Sequence, residues 1–423
     1  MESITSAPPK ARFSLAHLIR SLGPGIMMAA AAVGGSHLVA STKAGAIYGW
    51  QLAALILLVN VFKYPFFRAG VQYTMGTGTS LVEGYSKLGK PYLWLFVGLS
   101  AVSAVVNTAA LLMFSASLLA YFVPFDLSMP VLSILVLTTC LAILFAGHYK
   151  ALDALSKTIM AVLTIATLLA VCIALGKPAE PVVGFESPSP WTLAAIGFLV
   201  VTMGWMPAPI EISSITSMWL KSQCKQQTVT PRSALFDFNV GYIGTALLAI
   251  VFLSLGALVL HGTGVELSSS GVGFSHQLVG LYASTIGEWS RYLIAVIAFF
   301  CIFGSTITVI DGYARVLSES QRLVQKQPDM KNGVTLTWMV IISAAALAII
   351  LFWAKALLPM LNFAMILAFV TTPFFGLLNY ILVTKTDLPK PLAMTSSLKW
   401  LSIAGLIYLF GFLAVFIWWK WLL

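Results

Sequence analysis

The tetrapeptide Gly34-Gly35-Ser36-His37 interrupts a hydrophobic stretch that runs from Gly23 to Trp50. A bilayer offers the backbone no water to hydrogen-bond with, so a spanning helix tolerates such a break only where it is buried in protein or lines a wet cavity. A second interruption, Met206-Pro207-Ala208-Pro209, lies far downstream in another hydrophobic stretch. Two interrupted spans in one chain predict a substrate site near the membrane midplane.

The composition is that of an integral membrane protein. Hydrophobic residues make up 59% of the 423 residues, charged residues make up 9%, and the mean hydropathy is +0.94, a balance that soluble domains do not have. The formal charge of +10 is spread over short loops, so it predicts membrane topology and no binding of nucleic acid. The four cysteines form no CxxC pair, and we expect neither a disulfide nor a thiolate metal site.

A membrane span needs about 20 mainly apolar residues, and this length divides the sequence into eleven spans. Their predicted limits are 21–47, 50–72, 92–121, 129–147, 151–175, 191–220, 233–260, 290–318, 333–353, 357–384 and 398–419. The breaks fall in spans 1 and 6, and this offset predicts two inverted five-helix repeats, residues 21–175 and 191–384, with span 11 added. The predicted fold class is therefore all-α integral membrane, of the LeuT type.

The positions of lysine and arginine predict the orientation of the chain. Residues 1–20 are basic and form a predicted cytoplasmic segment, and most other positive charges, including Lys63 and Arg68, are assigned to loops on the same side. The positive-inside rule then places the N-terminus in the cytoplasm and the C-terminus outside the cell membrane. The longest outer segment, residues 261–289, is rich in Gly and Ser and is expected to form a surface hairpin or a lid.

Other functional classes lack their sequence signatures. There is no nucleotide-binding loop, which argues against ATP-driven transport by this chain. Paired acids, a Ser-His-Asp set and an HExxH helix are also missing, so we predict that the protein is not an enzyme. Secondary active transport by alternating access is the remaining prediction.

The broken spans define the predicted substrate site. A broken helix leaves free N–H groups at one half-helix end and free C=O groups at the other, and these attract anions and cations respectively. Backbone geometry therefore leaves the sign of the substrate open. The predicted substrate-binding residues are Gly34, Gly35, Ser36, His37, Met203, Met206, Pro207 and Ala208.

Four motifs carry a resemblance to a known family. They are Gly23-Pro24-Gly25 at the start of span 1, residues 44–49 at its end, Met206-Pro207 in span 6, and Ser305-Thr306-Ile307-Thr308 in span 8. With these motifs the chain resembles the Nramp family of proton-coupled divalent metal transporters over most of its length. The resemblance implies a LeuT-type fold with eleven or twelve spans and an N-terminus inside.

The sequence departs from the resemblance at the metal site. The Asp-Pro-Gly-Asn of the family falls on residues 34–37, and the two histidines that follow its Met-Pro motif fall on Ala208 and Ser213. The acids expected in span 3 are missing too, and Asn107 is the most polar residue there. A dication without a countercharge is very costly, since even a monovalent ion costs several kcal/mol to bury, and hard cations usually take carboxylate ligands. We therefore predict no metal site at this position.

A small site that is neutral to positive and rich in N–H donors suits a compact oxyanion, and bicarbonate is the predicted substrate. The sequence also looks like a prokaryotic Nramp-related branch linked to bicarbonate. The alternative is a proton-coupled transporter of Mn²⁺, Fe²⁺ or Mg²⁺ with a site rebuilt from Met206, His37, Glu211 and backbone carbonyls. A third hypothesis is a membrane sensor or scaffold without transport.

Anion uptake into a negative cell costs about 2.3 kcal/mol per charge per 100 mV, so a coupling ion is expected. For Na⁺, the resemblance to LeuT-type folds implies a site between spans 1 and 8. For H⁺, His37 and Glu211 are the predicted carriers. The predicted coupling-ion residues are Ser305, Thr306, Thr308, Glu211 and Ala31. We expect no cofactor other than a bound Na⁺, and a monomer that contacts only its substrate ion and the lipid bilayer.

The candidate polar residues also have structural interpretations. His37 could simply bond a backbone carbonyl. Glu211 could cap a half-helix or pair with Lys43 or Arg315, although an acid inside a membrane span is functional by default. Asp311 is predicted to pair with Arg315, four residues further along the same helix.

Overall fold

The fold is a bundle of α-helices in which two helices are broken. The computed structural model describes residues 22–147, 149–266, 268, 271–329, 333–353 and 357–422, without the side chains of 149–157, 159, 160 and 271. The predicted segment 1–20 therefore lies outside the described residues. The helices are α1 (Pro24–Ala32), α2 (Thr42–Tyr48), α3 (Ala53–Thr77), α4 (Leu81–Leu88), α5 (Lys90–Leu119), α6 (Met129–Phe145), α7 (Tyr149–Gly176), α8 (Ile196–Gly204), α9 (Ile212–Gln226), α10 (Pro231–Val259), α11 (Gly271–Ile286), α12 (Arg291–Val324), α13 (Val334–Trp353), α14 (Leu357–Lys385) and α15 (Ser396–Trp421).

The predicted multi-pass architecture is confirmed. In the described part of the chain, seven helices are long and apolar enough to cross a membrane, and the bent span 1 brings the number to eight. Three further apolar segments are shorter: Met129–Phe145, Ala161–Gly176 and Leu193–Gly204. The count of eleven spans and the repeat boundaries stay predictions.

Span 1 is broken where the sequence predicts it. Helix α1 ends at Ala32, a turn at Val33 and Gly34 follows, and Ser36–Ser41 form a π-helix. The axis bends by 45° at this break. Pro24 fits the start of α1 because proline has no backbone N–H group, and the N–H groups of the first helical turn have no partner within the helix. A π-helical turn is rare and occurs mostly at functional sites, so the break marks a candidate site.

Span 6 contains the longer interruption. Helix α8 ends at Gly204, and α9 begins only at Ile212. Pro207 and Pro209 carry no amide hydrogen, so the intervening segment cannot continue a helical hydrogen-bond ladder. A Cβ atom on Gly204 would lie 1.9 Å from the carbonyl oxygen of Met365 in α14. The end of α8 can pack this closely against α14 only because residue 204 is glycine.

Helix α10 packs against the start of span 1 so closely that the two backbones are in contact. A Cβ atom on Gly241 would lie 2.2 Å from the carbonyl oxygen of Gly25. The Asp237 carboxylate accepts hydrogen bonds from the amides of Gly23 at 2.9 Å and Gly25 at 2.6 Å. A carboxylate at the N-terminus of a helix satisfies free N–H groups and complements the helix dipole. Capping and close packing thus account for the glycines of the Gly23-Pro24-Gly25 motif.

Two segments differ from their predictions. Lys63 does not lie in a loop but inside α3, with its side chain fully buried. The segment 261–289 does not form a hairpin, because its core is helix α11, which packs against α5, α7 and α12. Phe274, Leu278 and Tyr282 of α11 are buried at a spacing of four residues, the pattern of an amphipathic helix. The many Gly and Ser residues around these positions make the segment polar on average, so its composition alone did not indicate a buried helix.

Helix α4 occupies a position where the sequence predicts a loop. Its start is a capping box, in which the Ser80 amide donates to Glu83 Oε2 at 2.7 Å and the Glu83 amide donates to Ser80 Oγ at 3.3 Å. Glu83 also binds Lys221 of α9 at 2.6 Å. Burial alone would raise the pKa of Glu83, but the hydrogen bonds from Lys221 and Ser80 lower it below its usual value. This ion pair connects α4 to the second half of span 6.

Candidate functional site

A small cavity of about 30 Å³ lies between the two breaks. Spans 1 and 6, α5 and α12 supply its lining residues, which are Ala31, Ala32, Gly35, Ser36, Asn107, Leu111, Trp205, Ala208, Pro209, Ile212, Val309 and Tyr313. Gly35, Ser36 and Ala208 belong to the predicted substrate residues, and Ala31 was predicted for the coupling ion. None of the lining side chains is a carboxylate, an imidazole or a thioether.

Four polar side chains form a hydrogen-bond chain beside this cavity. Trp205 Nε1 donates to Asn107 Oδ1 at 3.1 Å, and Asn107 Nδ2 donates to the Tyr313 hydroxyl at 2.8 Å. The Tyr313 hydroxyl then donates to Glu211 Oε1 at 3.0 Å. Each direction follows from the donor inventory, because an indole only donates and a hydroxyl has a single hydrogen to give. The chain therefore leads from the cavity wall to Glu211.

Glu211 is an incompletely bonded buried acid. Its side chain is 2% exposed, and its Oε2 atom has no hydrogen-bond partner in the described part of the chain. It occupies the N-cap position of α9, but its side chain accepts no capping hydrogen bond there.

The ion-pair partners suggested for Glu211 are engaged elsewhere. Arg315 binds Asp311 at 2.7 Å, which confirms the predicted pair within α12. The Lys43 ammonium group lies 5.9 Å from the ring centroid of Phe198. Neither cation accounts for the buried carboxyl of Glu211.

Lys63 is the residue that sequence-based prediction missed. Its Nζ atom donates to the backbone carbonyls of Met203 at 2.8 Å and Gly204 at 3.0 Å. These are the last carbonyls of α8, at the negative end of the helix dipole. The ammonium group therefore stands where a bound cation could otherwise sit. A lysine well inside the 25-residue helix α3 was the signal, since charges within a span are rare and functional.

The glycines of the first break have separate roles. A Cβ atom on Gly35 would lie 2.5 Å from Cζ3 of Trp205, so the indole ring closes directly on the backbone of span 1. A Cβ atom on Gly34 would instead lie 3.1 Å from Ser305 Oγ of α12, and Gly34 is not among the lining residues. Gly35 therefore shapes the cavity, while Gly34 contacts α12.

The His37 side chain does not line the cavity. Its Nε2 atom is 2.9 Å from the carbonyl oxygen of Thr245, which can only accept, so Nε2 is the donor. Its Nδ1 atom is 2.6 Å from Ser36 Oγ. The Ser36 hydroxyl does reach the cavity and also lies 2.6 Å from the carbonyl oxygen of Ala32. His37 thus bonds a backbone carbonyl, as its structural interpretation proposed.

The other predicted substrate residues lie behind the lining. Met206 is fully buried, and its sulfur is 4.0 Å from Ser41 Oγ. Met203 is also fully buried and is part of the core. Pro207 contributes a carbonyl oxygen 3.4 Å from Ser36 Oγ. The structure therefore gathers only part of the predicted set around the cavity.

The three hydroxyls predicted for Na⁺ face different neighbours. Ser305 Oγ reaches the carbonyl oxygen of Ala30 in α1 at 3.2 Å. Thr306 Oγ1 is 2.8 Å from Ser115 Oγ in α5. Thr308 Oγ1 donates to a carbonyl one turn earlier in its own helix at 2.8 Å. Of the three, Ser305 alone faces the first broken span.

The residues proposed for a rebuilt metal site do not converge either. Met206, His37 and Glu211 contact three different neighbouring groups. Within the residues that the structure describes, no three His, Cys, Asp or Glu side chains lie together as metal ligands.

Comparison with known proteins identifies the family. The model described as natural resistance-associated macrophage protein-like, or Nramp, matches residues 25–419. The chain belongs to the Nramp family. A relative, the uncharacterized protein PM0681 of Pasteurella multocida (strain Pm70), is 50% identical over 404 residues, which cover 94% of this chain and 92% of the relative.

Solved structures share the fold of this Nramp protein. A mutant of the manganese transporter of Eremococcus coleocola has a TM-score of 0.72 at 13% identity, covering 98% of this chain and 89% of that chain. Mhp1, a nucleobase-cation-symport-1 family transporter, has a TM-score of 0.61 at 14% identity, covering 94% of this chain and 92% of that chain. These likenesses confirm the predicted LeuT-type fold. An Nramp-family chain with this fold is a multi-pass membrane transporter.

Proposed function

We propose that this Nramp protein is a secondary active transporter of a small oxyanion, bicarbonate in the first place, coupled to Na⁺ or H⁺. It works by alternating access in the inner membrane of a prokaryote, with the N-terminus in the cytoplasm and the C-terminus outside. The observation that carries the proposal is the charge around the cavity. The lining contains no carboxylate, and the buried ammonium group of Lys63 caps the broken span beside it.

The electrostatics favour an anion over a dication. Ile212 is the first residue of α9 and lines the cavity, so the positive end of that helix faces the substrate. The Lys63 side chain adds a basic group at the same break, where it binds two backbone carbonyls. The positive end of a helix, equivalent to about half an elementary charge, attracts an anion and repels a cation, and the repulsion is twice as large for a dication. Glu211 stands at the same helix start, but its side chain is buried and is not among the residues that line the cavity.

The family's metal-ligand positions support the same choice. The resemblance places its essential carboxylate on Gly34 and one histidine on Ala208, and neither residue has an ionisable side chain. His37, which stands in the place of the asparagine, turns to the Thr245 carbonyl. None of these three positions supplies an anionic ligand.

Radiotracer uptake into proteoliposomes tests the proposal. Purified protein should take up labelled bicarbonate at alkaline pH, where little CO₂ crosses the bilayer, and should not take up labelled Mn²⁺. Protein-free liposomes are the control for CO₂ diffusion. Robust Mn²⁺ uptake without bicarbonate transport would reject the proposal, and bicarbonate binding without flux would point to a sensor.

A further inference from the structure

A cleft between the broken spans and the last two helices lies away from the cavity at the breaks. Helices α2 and α8, one half of each broken span, supply part of its wall, and α14 and α15 supply the rest. Its volume is about 270 Å³, and no residue lines both this cleft and the cavity. One water molecule needs only about 10–15 Å³ of such space, so the cleft has room for part of an organic ligand.

The lining of the cleft is apolar except for three side chains, those of Lys43, Asn362 and Lys420. The other lining residues are Gly197, Phe198, Val201, Ile366, Phe416 and Trp419. Apolar surface of this extent is stabilised by contact with hydrocarbon, and the few polar groups then fix the orientation of the ligand. A small hydrated anion alone would leave the apolar part of the lining unused.

The two ammonium groups of the cleft face aromatic rings. Lys43 Nζ lies 5.9 Å from the ring centroid of Phe198, and Lys420 Nζ lies 6.0 Å from that of Trp419. Among the described residues, neither lysine has an ion pair or a hydrogen bond with an acid. A ring face attracts a cation without neutralising its charge. Both positive charges therefore remain available to an anionic group.

The polar end of the cleft lies where the helices end. Trp419 and Lys420 belong to the last turn of α15, and Lys43 lies in the short helix α2, which ends at Tyr48. Tryptophan and lysine side chains near the ends of membrane spans lie at the level of the lipid headgroups. The apolar part of the cleft then continues from this level toward the hydrocarbon core of the bilayer.

From this arrangement we propose that the cleft binds one anionic phospholipid. Its phosphodiester contacts the ammonium groups of Lys43 and Lys420, and one acyl chain lies against the apolar side chains of α8, α14 and α15. A lipid bound there contacts one half of each broken span, α2 of span 1 and α8 of span 6. The site is separate from the substrate site and does not depend on the identity of the transported ion.

Native mass spectrometry of the full chain in detergent, titrated with lipid, tests the proposal. The two lipids are dioleoylphosphatidylglycerol and dioleoylphosphatidylcholine, which have the same acyl chains and differ in headgroup charge. The titration is made at about pH 6, where lysine side chains are protonated. We expect one phosphatidylglycerol to bind more tightly than phosphatidylcholine. Lys43→Gln and Lys420→Gln should each weaken its binding about fivefold and leave phosphatidylcholine binding unchanged.

Lys399→Gln is the matched control. Lys399 precedes Trp400 near the other end of α15, as Lys420 follows Trp419 at this end, and it does not line the cleft. The control should bind phosphatidylglycerol as the wild type does. Lys420 is exposed at the end of its helix, so its replacement tests the site without disturbing the fold.

Two further arms separate a lipid from a free anion. Val201→Phe puts a larger side chain into the cleft and should weaken phosphatidylglycerol binding with both lysines in place. Inorganic phosphate should not displace the bound lipid. Displacement by phosphate would show that the lysines hold a small anion, and it would overturn the proposal. Equal binding of the two lipids, or equal losses in Lys399→Gln and Lys420→Gln, would overturn it as well.

Discussion

Gly35 lies in the wall of the cavity, and replacing it by alanine should change the shape of the cavity and impair substrate binding. The new Cβ atom would lie 2.5 Å from Trp205 Cζ3 and 3.1 Å from Cε3, so the ring has to retreat by about 1 Å to reach ordinary van der Waals contact. The Trp205–Asn107 hydrogen bond, now 3.1 Å long, would then exceed the length at which such a bond contributes. Overpacking of this kind costs about 1–3 kcal/mol in the free energy of unfolding, and the lost hydrogen bond costs about 1 kcal/mol more.

Initial rates of bicarbonate uptake in proteoliposomes check this prediction, with thermal unfolding in detergent as the stability measurement. If about 1.4 kcal/mol of the cost falls on substrate binding, uptake drops about tenfold at low bicarbonate concentration. Gly98→Ala is the matched control, because a Cβ atom there meets nothing within 4 Å and alanine is the better helix former. Wild-type uptake by Gly35→Ala would show that Trp205 does not bound the substrate site.

Three further predictions concern other parts of the molecule. Gly34→Asp adds a negative charge next to the cavity lining and should raise the bicarbonate KM several-fold in uptake assays; an unchanged KM would mean that the site is misplaced. Asp237→Ala removes the carboxylate that accepts from the amides at the start of α1 and should lower the free energy of unfolding by about 0.5–2 kcal/mol, seen as a lower unfolding temperature. The carboxylate of Glu83, whose pKa is lowered, stabilises the fold above its ordinary pKa of 4.5, and this contribution is lost as the pH falls through the lowered value. Thermal unfolding of Glu83→Gln should therefore depend less on pH in that acidic window than the wild type, and equal pH profiles would contradict the role of its bond to Lys221.

The breaks could be predicted from the sequence because they depend on local chemistry. Two prolines at 207 and 209 remove amide donors whatever surrounds them, and the pair Gly34-Gly35 weakens a helix on its own. The same holds for the pair Asp311 and Arg315, which are one turn apart in a single helix. Features of this kind need no knowledge of the neighbouring elements, and the structure confirms them.

The electrostatics of the site could not be predicted in the same way, because they are set by contacts between distant segments. Lys63 lies 140 residues from the Met203 carbonyl that it binds, and Tyr313 lies 102 residues from Glu211. Only Asn107, the most polar residue of span 3, hinted at a partner there.

The sign of the substrate was predicted from what the first break lacks, the carboxylate that Gly34 replaces. The structure adds an independent observation with the same sign, the buried ammonium group of Lys63 at the second break. An absent negative charge and an added positive charge could arise separately, and either alone could be offset elsewhere. Both breaks border one cavity whose lining has no carboxylate, and Glu211 is buried outside that lining. The amide end of α9 and the basic side chain at the second break therefore favour an anion over a dication in the cavity.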